Sequence, residues 1–218
     1  MNDERWPLDF AIKEKMFPTV VGDVMMAAME TSSIIIDWFL IYMATHEEIQ
    51  EKLYKEIEEW IGLSRLPAVS DRPNCPYADA VLNEVFRFSS IASLGLAHRA
   101  LKDVHFHGYL IPKDTIIMAN LYGIMNDPEI WGDPGVFRPE RFLDADGKSV
   151  KSAFENVVPF STGKRVCLGE GLARDQLFLY FTSLVQRFRI GWLLQSNPVH
   201  ERETRAVHRN LPLSTHFS

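Results

Sequence analysis

Only two of the 218 residues are cysteines, Cys75 and Cys167, and the second stands where a thiol can do chemistry. The stretch VVPFSTGKRVCLGEGLARDQLFLYF puts Cys167 at the end of a glycine-containing loop and immediately before a long helical pattern. A sulfur so placed faces backbone N–H groups with no intrahelical acceptor and the positive end of a helix dipole, and both stabilise a thiolate. The same donors tune any metal that the sulfur binds. Four readings are open: buried apolar filler, a reactive nucleophile, one ligand of a multi-cysteine metal site, or a single axial ligand. The multi-cysteine site lacks partners, since Cys75 lies in a separate loop between Asn74 and Pro76 and has no role of its own to suggest.

Other reactive types are sparser. Glu84 and Arg87, three apart, share one helical face and can pair, a pattern that is usually solvated surface. His105 and His107 alternate around Phe106 and could share a strand face, but two ligands are too few for a zinc site, so both read as structural or exposed. A lone threonine such as Thr31 can simply return its hydroxyl to its own helix.

The elements that must hold these residues follow from periodicity. Pro18 opens a helix that is apolar nearly all round through Val20, Val24, Ala28, Ile34, Phe39 and Tyr42, which predicts a helix at the centre of a sizeable protein, packed on several sides. Asp23, Glu30 and Asp37 interrupt it, and three carboxylates exposed to lipid would be prohibitive, so the segment reads as a buried helix and no membrane segment is expected. Thr45 with Glu48 spells a capping box for a second, charged helix ending at Gly62. A proline-rich loop, a helix from Ala78 to Phe88, short strands between Leu96 and Asn120, and an irregular Pro/Gly/Asp-rich segment from Asp127 to Gly147 come next, with ADGKSVKS its loosest part. The last strong helix runs from near Leu168 to Phe188, before strand-like pieces.

The chain carries 23 Lys+Arg against 29 Asp+Glu, a formal net charge of −6, which disfavours nucleic acid as a partner. The charged opening MNDERWPLDF is no secretory leader, and two cysteines make no disulfide framework.

Phe160-Ser161-Thr162-Gly163-Lys164-Arg165-Val166-Cys167-Leu168-Gly169 resembles, at every fixed position, the F-x-x-G-x-R-x-C-x-G haem-binding signature of the cytochrome P-450 superfamily. The resemblance implies haem b (iron protoporphyrin IX) as cofactor and Cys167 as the axial thiolate ligand of its iron, favouring O–O cleavage. It implies that Arg165 pairs with a haem propionate, that Phe160 screens the sulfur, and that Gly163 and Gly169 permit a tight turn and close approach to the porphyrin. Glu84-Val85-Phe86-Arg87 resembles the family's E-x-x-R, and Phe137-Arg138-Pro139-Glu140-Arg141-Phe142 its P-E-R-F segment; together they imply a structural, buried cluster of Glu84, Arg87 and Arg141. Ala27-Ala28-Met29-Glu30-Thr31-Ser32 resembles the oxygen-binding groove of the family's central helix, with Ala28 where glycine is usual. There Glu30 and Thr31 would be the catalytic acid and alcohol that relay protons through water. Ala97-His98-Arg99 is similar to the place where a histidine meets a propionate, which gives His98 that role.

The implied fold is mainly α with small β-sheets, the C-terminal part of the cytochrome P-450 fold. One partial domain over 1–218 would hold an I helix at about 18–45, a K helix at about 78–88, a meander at about 127–147, a haem-binding loop at 160–169 and an L helix at about 168–188. The implied activity is haem-thiolate monooxygenation: one oxygen atom of dioxygen enters a lipophilic substrate, with electrons from NADPH through a cytochrome P-450 reductase. Ala27, Ala28, Thr31, residues 90–96 and a turn around Arg205 to Leu211 would line the pocket, and Lys164 and Arg174 would be cations available to the reductase. Two other readings stay open, a haem-thiolate hydroperoxide isomerase or lyase and a non-catalytic fragment. Family members are more than twice as long, so the expectation is a C-terminal portion whose kin work on the cytoplasmic face of the endoplasmic reticulum membrane, attached through an N-terminal part that this chain lacks.

Overall fold

The computed structural model describes residues 16–192 and 204–208. Among them the chain is mainly helical, with three two-stranded antiparallel sheets.

Helix α1 (Phe17–Thr45) carries Pro18 in its first turn and runs unbroken for 29 residues. Its C-terminal half is the spine of the core. Ile35, Phe39, Tyr42 and Met43 are buried, and the Phe39 ring stacks on Phe181 with centroids 3.7 Å apart. The N-terminal half differs from the expectation of a helix packed on several sides: Met25, Met26 and Met29 are exposed, Met26 to 71%. The described elements that cover α1 are Glu47–Trp60, Pro76–Ser89, Glu170–Arg187, Phe188–Trp192 and Thr204–His208, and among the described residues 16–31 none is buried. By length and composition alone α1 could cross a membrane. Asp23, Glu30 and Asp37 recur at seven-residue spacing, so they form one exposed stripe about 200° round the helix from buried Ser32 and Phe39.

The expected capping box is absent. Thr45 is the last residue of α1, and its hydroxyl donates to the Ile41 carbonyl at 2.9 Å, so it cannot cap the next helix. His46 makes the junction instead. Helix α2 (Glu47–Trp60) begins without a side-chain cap, Glu47 and Glu48 lying in its first turn where negative charge meets the dipole. It ends where the Ile61 and Gly62 N–H groups both donate to the Ile57 carbonyl, Gly62 at φ +80°.

Helix α3 (Pro76–Ser89) is buried almost all round. No side chain of its own caps it. Glu56 of α2 does so from outside, accepting from the Tyr77 and Ala78 N–H groups at 2.7 and 2.8 Å. Burial pushes the Glu56 carboxyl up to about 7 although those two hydrogen bonds pull the other way. Beside it Cys75 is wholly buried, and burial pushes its thiol up to about 12, so it stays protonated.

Strand β1 (His98–Arg99) pairs with β4 (Ile116–Ile117), and β2 (Val104–Phe106) with β3 (Tyr109–Ile111). His107 and Gly108 make the hairpin turn at φ +46° and +84°, so His107 does not share a strand face with His105. Short helix α4 (Leu121–Met125) lies just before the irregular segment, α5 (Pro128–Trp131) inside it and α6 (Lys151–Phe154) just after it. The stretch expected to be loosest is pinned by Asp144, whose carboxylate accepts from the Asp146 and Lys148 N–H groups. Helix α7 (Glu170–Arg187) returns through the core into β5 (Phe188–Trp192), which pairs with β6 (Thr204–His208). Gln50, buried on α2, holds β5 in place: its side chain accepts from Ile190 N–H and donates to Ile190 O, both at 2.8 Å. Of the expected pocket turn at 205–211, residues 209–211 lie outside the described residues.

Because the folded Glu56 value of about 7 exceeds the ordinary 4.5, the folded chain holds this proton more tightly than the unfolded one. Its contribution to stability is complete below about pH 4.5 and fades as pH rises through about 7. Thermal melts across that window should therefore show a steeper fall for the parent chain than for Glu56→Gln, and parallel curves would show that Glu56 is not the responsible group.

Candidate functional site

The loop that carries Cys167 is built from tight local turns. Ser161 and Gly163 both sit at positive φ, +64° and +76°. Gly163 has open space around a hypothetical Cβ but a backbone that only glycine adopts without strain. A 3₁₀ turn over Gly163–Arg165 then brings the chain back, and the Cys167 N–H donates to the Phe160 carbonyl at 2.9 Å, closing the loop. The Cys167 carbonyl accepts from the Glu170 N–H at 3.4 Å as α7 begins. Leu168 and Gly169 thus separate the cysteine from the helix, which starts two residues later than expected. Gly169 has an ordinary φ of −87°, and a Cβ there would lie 3.9 Å from the Cys167 sulfur, so its smallness keeps one side of the sulfur open rather than permitting a turn.

Cys167 is free and exposed. Arg165 and Lys164 are exposed beside it, and Leu168 is 98% exposed. His98 is exposed on β1, across from Ile117. Glu30 and Thr31 are exposed on α1, where the Thr31 hydroxyl donates to the Ala27 carbonyl at 2.7 Å, the local bond open to any helical threonine. No hydrogen bond or ion pair among the described residues joins His98, Glu30 or Thr31 to the Cys167 loop, and none joins the Arg165 side chain to Cys167. Nor do the described residues hold three or more His, Cys, Asp or Glu side chains grouped to hold a metal ion.

Glu84, Arg87 and Arg141 do come together. Both oxygens of Glu84 accept from Arg87, at 2.8 and 2.9 Å, and Glu84 Oε1 also accepts from Arg141 Nε at 3.2 Å and from the Arg138 N–H at 2.8 Å. The side chains of Glu84 and Arg87 are fully out of water and Arg141 nearly so, at 5% exposure. Most of the remaining guanidinium hydrogens are spent on backbone carbonyls, Met125 and Pro134 for Arg87, Trp131 and Val136 for Arg141, while Arg141 Nη1 also donates to the Asp133 carboxylate at 3.1 Å. The Trp131 ring lies 5.2 Å from the Arg87 guanidinium and 5.8 Å from that of Arg141. One helix turn therefore fastens residues 125–141 through a carboxylate satisfied by four donors.

Several functional contacts escaped the sequence. Asp133 is a second acceptor for Arg141 and pairs with Arg138; nothing in its local pattern distinguishes it from neighbouring loop aspartates. Arg174, expected as a free cation, is engaged instead: Nε donates to Glu170 at 2.8 Å, Nη1 to Asn83 at 3.0 Å, and the guanidinium lies 5.1 Å from the Phe160 ring centroid and 5.3 Å from that of Phe86. The Glu170–Arg174 spacing of four was its visible signal.

The family described as Cytochrome P-450 matches residues 12–215. The chain is 43% identical over 169 residues to cytochrome P-450 1A1 of Limanda limanda, covering 77% of this chain and 32% of that protein. It is 46% identical over 165 residues to cytochrome P-450 2B2 of Rattus norvegicus, covering 76% and 33%. With cytochrome P-450 2D26 of Rattus norvegicus the identity is 44% over 174 residues, covering 80% and 34%. The chain thus spans about a third of the length of these relatives.

Removing the Glu84 carboxylate strands two buried guanidinium groups, so Glu84→Ala should cost about 3–5 kcal/mol in denaturant unfolding. Lys52→Ala, which deletes the exposed partner of Glu140, should cost under about 1 kcal/mol. Similar losses for the two would contradict the cluster's role as the fastening of residues 125–141.

Proposed function

This chain belongs to the cytochrome P-450 family, and from that premise we propose that it supplies the haem-thiolate centre of a monooxygenase, inserting one oxygen atom of dioxygen into a lipophilic organic substrate. The observation that carries the reading is the free, exposed Cys167 thiol on a backbone-closed loop just ahead of α7. Its donor chemistry fits haem b: one soft thiolate, an open side toward Gly169, and two exposed basic groups, Arg165 and His98, suited to propionates. Bound there, the haem would supply the activation of dioxygen that no amino-acid side chain can perform.

The chain's own residues do the rest. Arg165 and His98 would hold the propionates, and the Phe160 backbone fixes Cys167 from the N-terminal side. Thr31 Oγ1, already donating to Ala27 O, keeps its lone pairs free to accept from water, and the neighbouring Glu30 carboxylate is exposed. This is the pair that would deliver protons. Leu94 and Leu96, exposed after α3, and the Ala27–Ala28 surface of α1 suit an apolar substrate. Electrons would come from NADPH through a cytochrome P-450 reductase that meets exposed Lys164, and the complete enzyme would work at the cytoplasmic face of the endoplasmic reticulum membrane.

Haem titration of the 218-residue chain, followed by its reduced carbon-monoxide spectrum, should give the thiolate type of Soret band. Cys167→Ser should abolish that band, and its survival would end the haem-thiolate reading. Product formation that depends on NADPH and reductase supports monooxygenation. Turnover with a hydroperoxide alone, and none with NADPH and reductase, would assign the centre to isomerase or lyase chemistry. Thr31→Val should lower product formed per electron consumed by about tenfold if its hydroxyl lies on the proton route.

A further inference from the structure

The sulfur of Cys167 has no side-chain hydrogen bond among the described residues, so its position is set by the backbone on either side. Two residues provide that hold: Phe160, whose carbonyl accepts the Cys167 N–H at 2.9 Å, and Glu170, whose N–H donates to the Cys167 carbonyl at 3.4 Å. Arg174 grips the side chains of both. Its Nε donates to Glu170 Oε1 at 2.8 Å, and its guanidinium lies 5.1 Å from the centre of the Phe160 ring. The same guanidinium lies 5.3 Å from Phe86, which meets Phe160 edge to face at 5.1 Å, and Nη1 donates to Asn83 Oδ1 at 3.0 Å. Asn83 and Phe86 are buried on α3, and Asn83 is itself steadied through its donor bond to Asp79 O at 2.7 Å.

We propose that Arg174 is a positioning residue for Cys167, one side chain that ties both backbone supports of the cysteine to α3. The proposal rests on the haem-thiolate reading for its consequence, not for its geometry. The loop's remaining backbone bonds, Ser161 N–H to Val158 O and Val166 N–H to Gly163 O, are internal turns that shape it without attaching it to anything. Attachment therefore falls to the Phe160 ring and to Arg174. An arginine is suited to this where a lysine is not, because its planar fork donates in two directions while its face stays on the aromatic rings. With 20% of its side chain exposed, Arg174 works largely out of water, where such bonds are strong.

The test uses the full chain with Arg174→Met, which keeps the stem and loses the fork, and Arg174→Lys, which keeps the charge. Hydrogen exchange is read at the amides of residues 160–170 and, as reference, at α2. Arg174→Met should lose about tenfold in protection at the Cys167 and Glu170 amides with α2 unchanged, and Arg174→Lys should recover only part of it. In the haem-loaded chain the same variants should convert part of the reduced carbon-monoxide spectrum from the thiolate type to the displaced or protonated thiol type. Protection within about twofold of the parent, or an equal loss in α2 and loop, would overturn the proposal. Should Arg174→Met not fold, Arg174→Lys and Phe160→Leu decide by the same loop-against-α2 comparison. A parent chain that shows no thiolate spectrum would remove the haem reading while the exchange data still judge Arg174.

Discussion

Glu84 is a carboxylate with no access to water, and its charge is tolerable only because four donors converge on it: Arg87 twice, Arg141, and the Arg138 backbone. A buried ion that loses one partner costs more than the pair ever contributes, so the arrangement behaves as a constraint. The segment from Met125 to Arg141 has little regular structure, and it stays in place because Arg87 and Arg141 spend most of their remaining hydrogens on its carbonyls and Arg141 also pairs with Asp133. Loops normally satisfy their backbone with water. Here two guanidinium groups take that part, and the aromatic floor of Trp131 lies within 6 Å of both.

The same helix also organises the cysteine loop. Asn83 and Phe86 are offset by one position from Glu84 and Arg87, about 100° round α3. One pair faces the irregular segment and the other faces Arg174 and Phe160. Every side of α3 is therefore committed, which explains why it is buried nearly all round and why its N-terminus is capped by Glu56 from a neighbouring helix. Its register is fixed from three directions, so the geometry around Cys167 inherits that rigidity. Were Cys167 to ligate the haem iron as proposed, that rigid support would orient the ligand.

The first half of α1 has a different character. Its carboxylate stripe faces away from the core side, while Phe17, Val24, Met25 and Met29 stand uncovered along the line that Ile35 and Phe39 continue into the core. Glu30 and Thr31 sit where covered helix gives way to exposed helix. A continuous helix lets the buried half hold the exposed half in direction, without any contact from the exposed residues themselves.

The signature around Cys167, the Glu84–Arg87 spacing, the Arg141 segment and the extent of α1, α3 and α7 were legible in the sequence, because each depends on neighbours a few residues away and on a 3.6-residue period. Gly163 was legible for the same local reason, a φ that other residues resist. What the sequence could not decide was competition between partners. Thr45 had a capping-box pattern, yet its hydroxyl went to the Ile41 carbonyl because Thr45 is itself the last residue of α1. Arg174 read as a surface cation until folding brought Asn83, 91 residues away, into range of its guanidinium. Glu56 and Asp133 gained their roles only when α3 and the irregular segment met them. Side-chain identity and spacing set which bonds a residue is able to make, and tertiary packing chose among them, because only packing removes the water that would otherwise have served each group as well.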